Sequence, residues 1–286
     1  MKIRHHHVNT GRLTLHVAEL GVGEPVLLVH GFPSYWEDWR EQMEALAGNG
    51  FRAIAFDLPG YGESERLPNV LDYRAALVAA DIAGLIRALE LPSVHVLGHD
   101  WGGTLAYCLA AEHPELVKGL IVLNAGHPEL FRTALQHYEQ LRRSWYMFLF
   151  QLPWLPEWLL QRRAAMSLAL RGMEVRPGAF SDADLDRYVA VMRRPGAACA
   201  ALSYYRAAFR VPVRTRRTIK QRTLVLWGDQ DKALSGALLL PDLPKYVPGV
   251  RTERFAHAGH WLHHDVPTEV TFHVLSFLNA TGSGQS

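Results

Sequence analysis

The sharpest chemical signal in the chain is an acidic residue in a glycine-flanked turn. Val94-His95-Val96-Leu97-Gly98-His99-Asp100-Trp101-Gly102-Gly103 reads as a strand turning through G-x-D-x-G into a helix. This is the form of a nucleophile elbow, which holds its central side chain out on a strained turn while small neighbours let strand and helix approach closely. A phosphate cradle would need a P-loop or G-x-G-x-x-G spacing, and neither is present; an acid at a helix start also repels phosphate. A carboxylate needs no base to remove a proton, unlike a serine hydroxyl. Its attack on an acyl carbon would give a labile anhydride. The productive target is therefore a saturated carbon bearing a leaving group, as in an epoxide or an alkyl halide, and the product is an ester of the enzyme. Hydrolysis of that ester needs a general base and an oxyanion hole.

The chain offers candidates for both. His260 follows Ala256-His257-Ala258-Gly259, just past the last expected strand, Val250 to Phe255, with His257 as its competitor. In Trp227-Gly228-Asp229-Gln230-Asp231 two acids follow a core strand, and either could orient the histidine. Asn124, after an earlier strand, is another possible acid position, but an amide cannot stabilise imidazolium as a carboxylate does. Nucleophile, acid, then histidine is a chain order used by hydrolases. His30-Gly31-Phe32-Pro33 ends an earlier strand, so the N–H groups of Phe32 and Trp101 are the expected oxyanion donors; Pro33 has none to give. His30 is expected to fix loop geometry, and His99 to pack or hydrogen-bond under the elbow.

The elements that must hold these residues are legible as alternation. Short apolar runs at Pro25 to His30, Phe51 to Phe56, Val94 to Leu97, Gly119 to Leu123 and Thr223 to Trp227 read as strands. Trp36 to Leu46, Tyr73 to Leu89 and Trp101 to Ala111 read as helices, the second with Asp72 as N-cap. Arg12 to Leu20 reads as an edge strand entering a Gly21-Val22-Gly23 hairpin. Such alternation predicts an α/β fold with a mostly parallel, doubly wound sheet. From about His127 to Lys220 the strand signal gives way to helical spacing, which predicts an insertion at the rim where the strands' carboxyl ends open a crevice. The expected division is a core of 1–127 and 221–286 with a helical cap domain at 128–220. The polar tail Thr281 to Ser286 is expected to fray.

Composition excludes several classes. Among 286 residues, 49% are hydrophobic and 20% charged, with 30 Lys+Arg against 28 Asp+Glu, which describes a globular chain rather than a disordered or fibrous one. A net charge of +2 and the lack of a basic, aromatic-interleaved run argue against a nucleic-acid partner. Two cysteines, Cys108 and Cys199, make no disulfide framework or CxxC metal spacing, so a reducing, cytoplasmic setting is expected. The start, Met1 to Arg4, runs into His5-His6-His7 rather than into an apolar stretch, and no signal peptide is expected. Trp145 to Leu160, the most apolar stretch, is broken by Gln151, Pro153, Pro156 and Glu157 and is too interrupted to span a bilayer, so no membrane partner is expected.

The His30-Gly31-Phe32-Pro33 box, the Asp57-Leu58-Pro59-Gly60-Tyr61-Gly62-Glu63-Ser64 loop and Gly98-His99-Asp100-Trp101-Gly102-Gly103 together resemble the α/β-hydrolase-fold epoxide hydrolases, over most of the chain and in the family's order. The resemblance implies that fold, a helical cap, no cofactor and no metal, and small apolar epoxide and water as reactants of a monomer or homodimer. It implies Asp100 as nucleophile, His260 as base and Asp231, rather than Asp229, as the orienting acid. It also implies two cap tyrosines that hydrogen-bond the epoxide oxygen. Ser144-Trp145-Tyr146-Met147-Phe148 and Ala201-Leu202-Ser203-Tyr204-Tyr205-Arg206 match the segments that carry them, giving Tyr146 and Tyr205, with Tyr204 as the competitor. A phenol fits this task because ring opening creates a strongly basic alkoxide, whereas a departing halide needs only weak N–H donors.

Haloalkane dehalogenases share the aspartate elbow and are the nearest rival; there a lid indole would come from Trp145, Trp154 or Trp158. Fluoroacetate dehalogenases carry an arginine where this chain has Trp101. A catalytically silent binding protein would not need nucleophile, acid and base together. Other residues have plainer readings. His5-His6-His7 is expected as an exposed patch before the first strand, with no acid or cysteine near it to complete a metal site. His263 and His264 are expected at the surface or behind the site, and the arginine clusters at 142–143, 162–163 and 214–217 on solvated faces.

Overall fold

The computed structural model describes residues 1–215 and 217–282; Arg216 of the 214–217 cluster and residues 283–286 of the polar tail lie outside the described residues. The strands β1 (Arg4–Asn9), β2 (Thr14–Leu20), β3 (Glu24–Val29), β4 (Phe51–Phe56), β5 (Val94–His99), β6 (Val117–Leu123), β7 (Arg222–Gly228) and β8 (Arg251–Phe255) form one eight-stranded sheet in the order β1-β2-β4-β3-β5-β6-β7-β8. From β4 to β8 all neighbours are parallel, while β2 runs antiparallel to both β1 and β4. The central strands are almost wholly buried and mostly Val, Leu and Ile, as helices on both faces require.

Helices α1 (Arg40–Gly48), α2 (Ala75–Ala88) and α3 (Trp101–Glu112) follow β3, β4 and β5. Between β6 and β7 come α4 (Pro128–Ala134), α5 (Tyr138–Arg143), α6 (Trp145–Leu149), α7 (Leu155–Leu160), α8 (Arg163–Arg171), α9 (Asp182–Met192) and α10 (Ala197–Arg210), with no strand among the described residues there. The chain closes with α11 (Gly236–Leu239), α12 (Leu262–Asp265) and α13 (Pro267–Gly282). This is the α/β-hydrolase fold.

The topology decides where a ligand can sit. The chain leaves β3 for β4 on one side and returns as β5 on the other, so the loops after β3 and β5 diverge and open a crevice at their carboxyl ends. The register Val29↔Gly98 sets Gly31 and Phe32 beside Asp100 in that crevice.

Three local expectations are corrected. His5-His6-His7 does not precede the first strand; it is the middle of β1, the sheet edge, where polar side chains discourage pairing with another chain. Gly21-Val22-Gly23 closes no hairpin, because β2 pairs with β1 and β4 and β3 lies one strand further in. Asp72 does not cap α2. Its carboxylate accepts the Asn69 N–H at 3.2 Å and closes the short turn Val70–Tyr73, and α2 begins only after Arg74.

Candidate active site

Asp100 is the N-cap of α3 and takes φ +52° and ψ −122°, a left-handed conformation that an aspartate adopts only under constraint. The constraint is close packing. A Cβ on Gly102 would fall 2.0 Å from the Val29 carbonyl oxygen, and one on Gly31 would fall 2.5 Å from the Asp100 Cβ. An N-cap aspartate ordinarily accepts an N–H from its own helix. This one does not. Its Oδ1 instead accepts the Phe32 N–H at 2.8 Å, and the carboxylate is turned into the crevice. Trp101, next in the chain, is the first residue of α3, where N–H groups have no acceptor within the helix.

His260 Nε2 stands 3.6 Å from Asp100 Oδ2, and its Nδ1 lies 2.9 Å from Asp231 Oδ2. Asp231 is held on every side: Oδ1 accepts the N–H groups of Ala233 at 2.7 Å and Leu234 at 2.9 Å, and Oδ2 accepts Asn124 Nδ2 at 2.8 Å. Burial alone would lower the His260 pKa, but the charges of Asp231 and Asp100 and the hydrogen bond to Asp231 outweigh it and raise it to about 10. The two carboxylates therefore favour the charged imidazolium between them.

The other candidates divide cleanly. Asp229 is drawn off to Arg254 at 2.8 Å, and His257 lies exposed against Glu269 at 2.9 Å; neither reaches the site. Asn124 serves as a clamp instead of an acid, since it also accepts the Gly228 N–H at 2.9 Å. His30 Nε2 accepts the Leu58 N–H at 2.9 Å, which leaves Nδ1 to donate to the Gly31 carbonyl at 2.8 Å and fix that loop. His99 Nε2 donates to the His260 carbonyl at 2.9 Å from beneath; burial and the neighbouring His263 and His260 keep its pKa well below the usual value.

A cavity of about 290 Å³ opens over Asp100. Its wall is largely apolar, with Phe131, Leu135, Met147, Val213 and Leu234, and Tyr146 and Tyr205 also line it. The two phenol rings lie 6.0 Å apart, and burial together with the Asp100 charge raises both pKa values, so both stay protonated. Tyr204 points elsewhere: its hydroxyl donates to the Pro59 carbonyl at 2.9 Å. Of the three tryptophans considered as lid donors, none lines the cavity.

Sequence reasoning missed Asp38. This buried carboxylate receives His263 at 3.0 Å, His264 at 2.6 Å and the Tyr188 hydroxyl from α9. His263 is thus buried behind the site, not at the surface. Among the described residues, Asp38, His99 and His263 are the one group of three such side chains whose donor atoms lie within 4.8 Å of one another. Nothing in the sequence around Asp38 marks it, because its partners are up to 226 positions away.

Comparisons with known proteins agree with this fold. The α/β hydrolase fold family matches residues 24–267. Epoxide hydrolase 3 of Xenopus tropicalis is 38% identical over 262 residues, which cover 88% of this chain and 71% of the relative. The AB hydrolase superfamily protein YfhM of Bacillus subtilis is 34% identical over 278 residues, covering 95% of this chain and 96% of the relative. A crystal structure of the Bacillus megaterium epoxide hydrolase with an inhibitor superposes with a TM-score of 0.87 at 28% identity, covering 96% of this chain and 100% of that one.

Proposed function

The chain belongs to the epoxide hydrolases of the α/β-hydrolase fold, and on that premise we propose that it opens an apolar epoxide to a vicinal diol through an ester of Asp100. The observation that carries the reading is a carboxylate on a strained elbow facing two cavity-lining phenols across an apolar cavity.

In the first step Asp100 Oδ2 attacks one ring carbon. A carbon–oxygen ester bond forms, the ring carbon–oxygen bond breaks, and the alkoxide takes one proton from the Tyr146 and Tyr205 pair, which the His260 imidazolium replaces once the Asp100 charge is gone, leaving the imidazole neutral. In the second step His260 takes a proton from water. The hydroxide adds to the Asp100 carboxyl carbon, with the oxyanion held by the Phe32 and Trp101 N–H groups. Collapse releases the diol and restores Asp100 with one oxygen from water.

Esterification also times the base. It removes the Asp100 charge, one of the influences that raise the imidazole's pKa, and burial then favours the neutral ring just when a base is required. Asp231 keeps the tautomer and orientation throughout. The helices at 128–220 act as a cap domain whose tyrosines supply the protons, over a core of 1–127 and 221–286.

Single-turnover hydrolysis in heavy-oxygen water tests the scheme. Label is expected in Asp100 after digestion and mass spectrometry, with the first-turnover diol unlabelled. Label appearing directly in the diol would overturn the ester intermediate. Parallel assays on epoxides and bromoalkanes separate the reading from halide release.

A further inference from the structure

The helical block carries an outer face that the catalytic reading leaves unused. Trp145 and Phe148 lie one turn apart on α6, Leu152 sits in the bend that follows it, and Trp154, Leu155 and Trp158 continue from that loop into α7. All six are exposed, the tryptophans by 63%, 80% and 52% in chain order. A soluble protein seldom leaves so much adjoining aromatic surface in water without a partner for it. Trp154 is held outward at φ +49°, and Arg206 of α10 fastens the loop behind it, donating to the carbonyls of Phe150 at 3.0 Å and Leu152 at 2.8 Å.

Charge says what the face meets. Glu157 of this face is neutralised by Arg206 at 2.6 Å, and Glu139 at its edge by Arg143 at 3.3 Å. Cations remain around the edge. Arg142 and Arg210 are exposed without an ion pair among the described residues, and Arg162 lies 4.7 Å over the Trp158 ring. Arg142, Arg143, Trp145 and Lys232 line a second cleft of about 480 Å³ beside the aromatic face. Exposed indoles rimmed by arginines suit the water–lipid boundary, where rings rest at headgroup depth and guanidinium groups meet phosphates. Two copies joined through this face would instead bring like charges together. The face also continues to the catalytic cavity, because Phe148 packs edge-on to Phe209 at 5.4 Å and Phe209 lines that cavity.

We propose that this face docks the protein on an anionic membrane surface, with the stretch Trp145 to Leu160 lying flat in the interface and the cavity reached from the lipid side. Docking stands on the exposed face and its charge. Only the delivery of apolar substrate from lipid rests on the catalytic reading above.

Flotation with vesicles of phosphatidylcholine alone, or mixed with phosphatidylglycerol, tests it on the whole chain. The protein is expected to float with the mixed vesicles and to release as salt rises. Trp154→Ala/Trp158→Ala should lower partitioning roughly tenfold or more, with turnover of a small water-soluble epoxide unchanged. Arg142→Glu/Arg210→Glu, which leaves the indoles in place, should lower binding to mixed vesicles by roughly tenfold. No flotation with either vesicle, or double variants that float like the parent, would overturn the proposal. A dimer in sedimentation velocity that the tryptophan variant abolishes, without vesicle binding, would assign the face to a second copy and also overturn it. Vesicle binding by a protein that turns over no epoxide would leave the docking surface standing and remove the catalytic reading.

Discussion

Asn124 donates its side-chain N–H to the same Asp231 oxygen that receives His260, at 2.8 Å against 2.9 Å. The amide stands at φ +37°, and its oxygen accepts the Gly228 N–H, so it ties the end of β6 to the loop that bears the acid. Asn124→Gly tolerates that backbone and removes these bonds together with a third, from the amide to the Gly228 carbonyl at 3.3 Å. We expect a fall in kcat of about tenfold and, with the Gly228 N–H left buried and unpaired, a loss of about 1–3 kcal/mol in stability. Asp231→Asn should cost far more activity, on the order of a thousandfold or more, since an amide can favour the wrong histidine tautomer. Steady-state kinetics and urea unfolding of both variants check the ordering.

The tyrosines make a second set of expectations. Tyr146→Phe and Tyr205→Phe each remove one proton donor from the cavity and should lower kcat/KM for epoxides by about a hundredfold. Tyr204→Phe loses only a hydrogen bond to the Pro59 carbonyl, so its cost should appear as about 1 kcal/mol of stability with kcat/KM nearly unchanged. Equal losses for Tyr204→Phe and Tyr205→Phe would remove the assignment.

What the sequence revealed, and what it hid, follows from the range of each interaction. The elbow was legible because its requirement is local: Gly31 and Gly102 stand where any side chain would collide, and Asp100 lies between strand and helix signals. Asp100, Asp231 and His260 each lie within a few residues of a strand end, but that alone left Asp229 and His257 as competitors, and the family resemblance chose between them. Choosing between Tyr204 and Tyr205 needed the helix rotation that only packing sets. The Asn124 clamp and the Asp38 cluster were hidden, since each depends on partners about a hundred or more residues away. The edge of the sheet misled for a similar reason: β1 and β2 pair with each other, and their place beside β4 has no local signature.

The base is expected to act only in the second step. His260→Gln keeps a side chain of similar reach but cannot take a proton from water, so an epoxide should leave a stable adduct on Asp100, seen as a mass increase equal to the epoxide. Asp100→Ala should show neither adduct nor turnover. A His260→Gln protein that turns over normally, or never gains mass with any reactive epoxide, would contradict the order of events.

His127 sets an acid limit on the fold. The ring is buried between Tyr246, stacked at 4.6 Å, and Tyr107 at 5.2 Å, and among the described residues neither ring nitrogen has a hydrogen-bond partner. Burial lowers its pKa from 6.5 to about 4. A depressed histidine binds its proton more readily in the unfolded chain. Its stabilising contribution is therefore whole above pH 6.5 and is lost as pH falls toward 4, by about 3 kcal/mol at the limit. His127→Phe keeps an aromatic ring between the tyrosines and removes the titrating group. Many carboxylates titrate over the same range, so the useful quantity is the difference between the two proteins. Urea midpoints measured from neutral pH down to about 4 should converge or cross as pH falls, with the variant losing less. Parallel curves would mean that His127 is hydrated or paired in solution and that acid unfolding begins elsewhere.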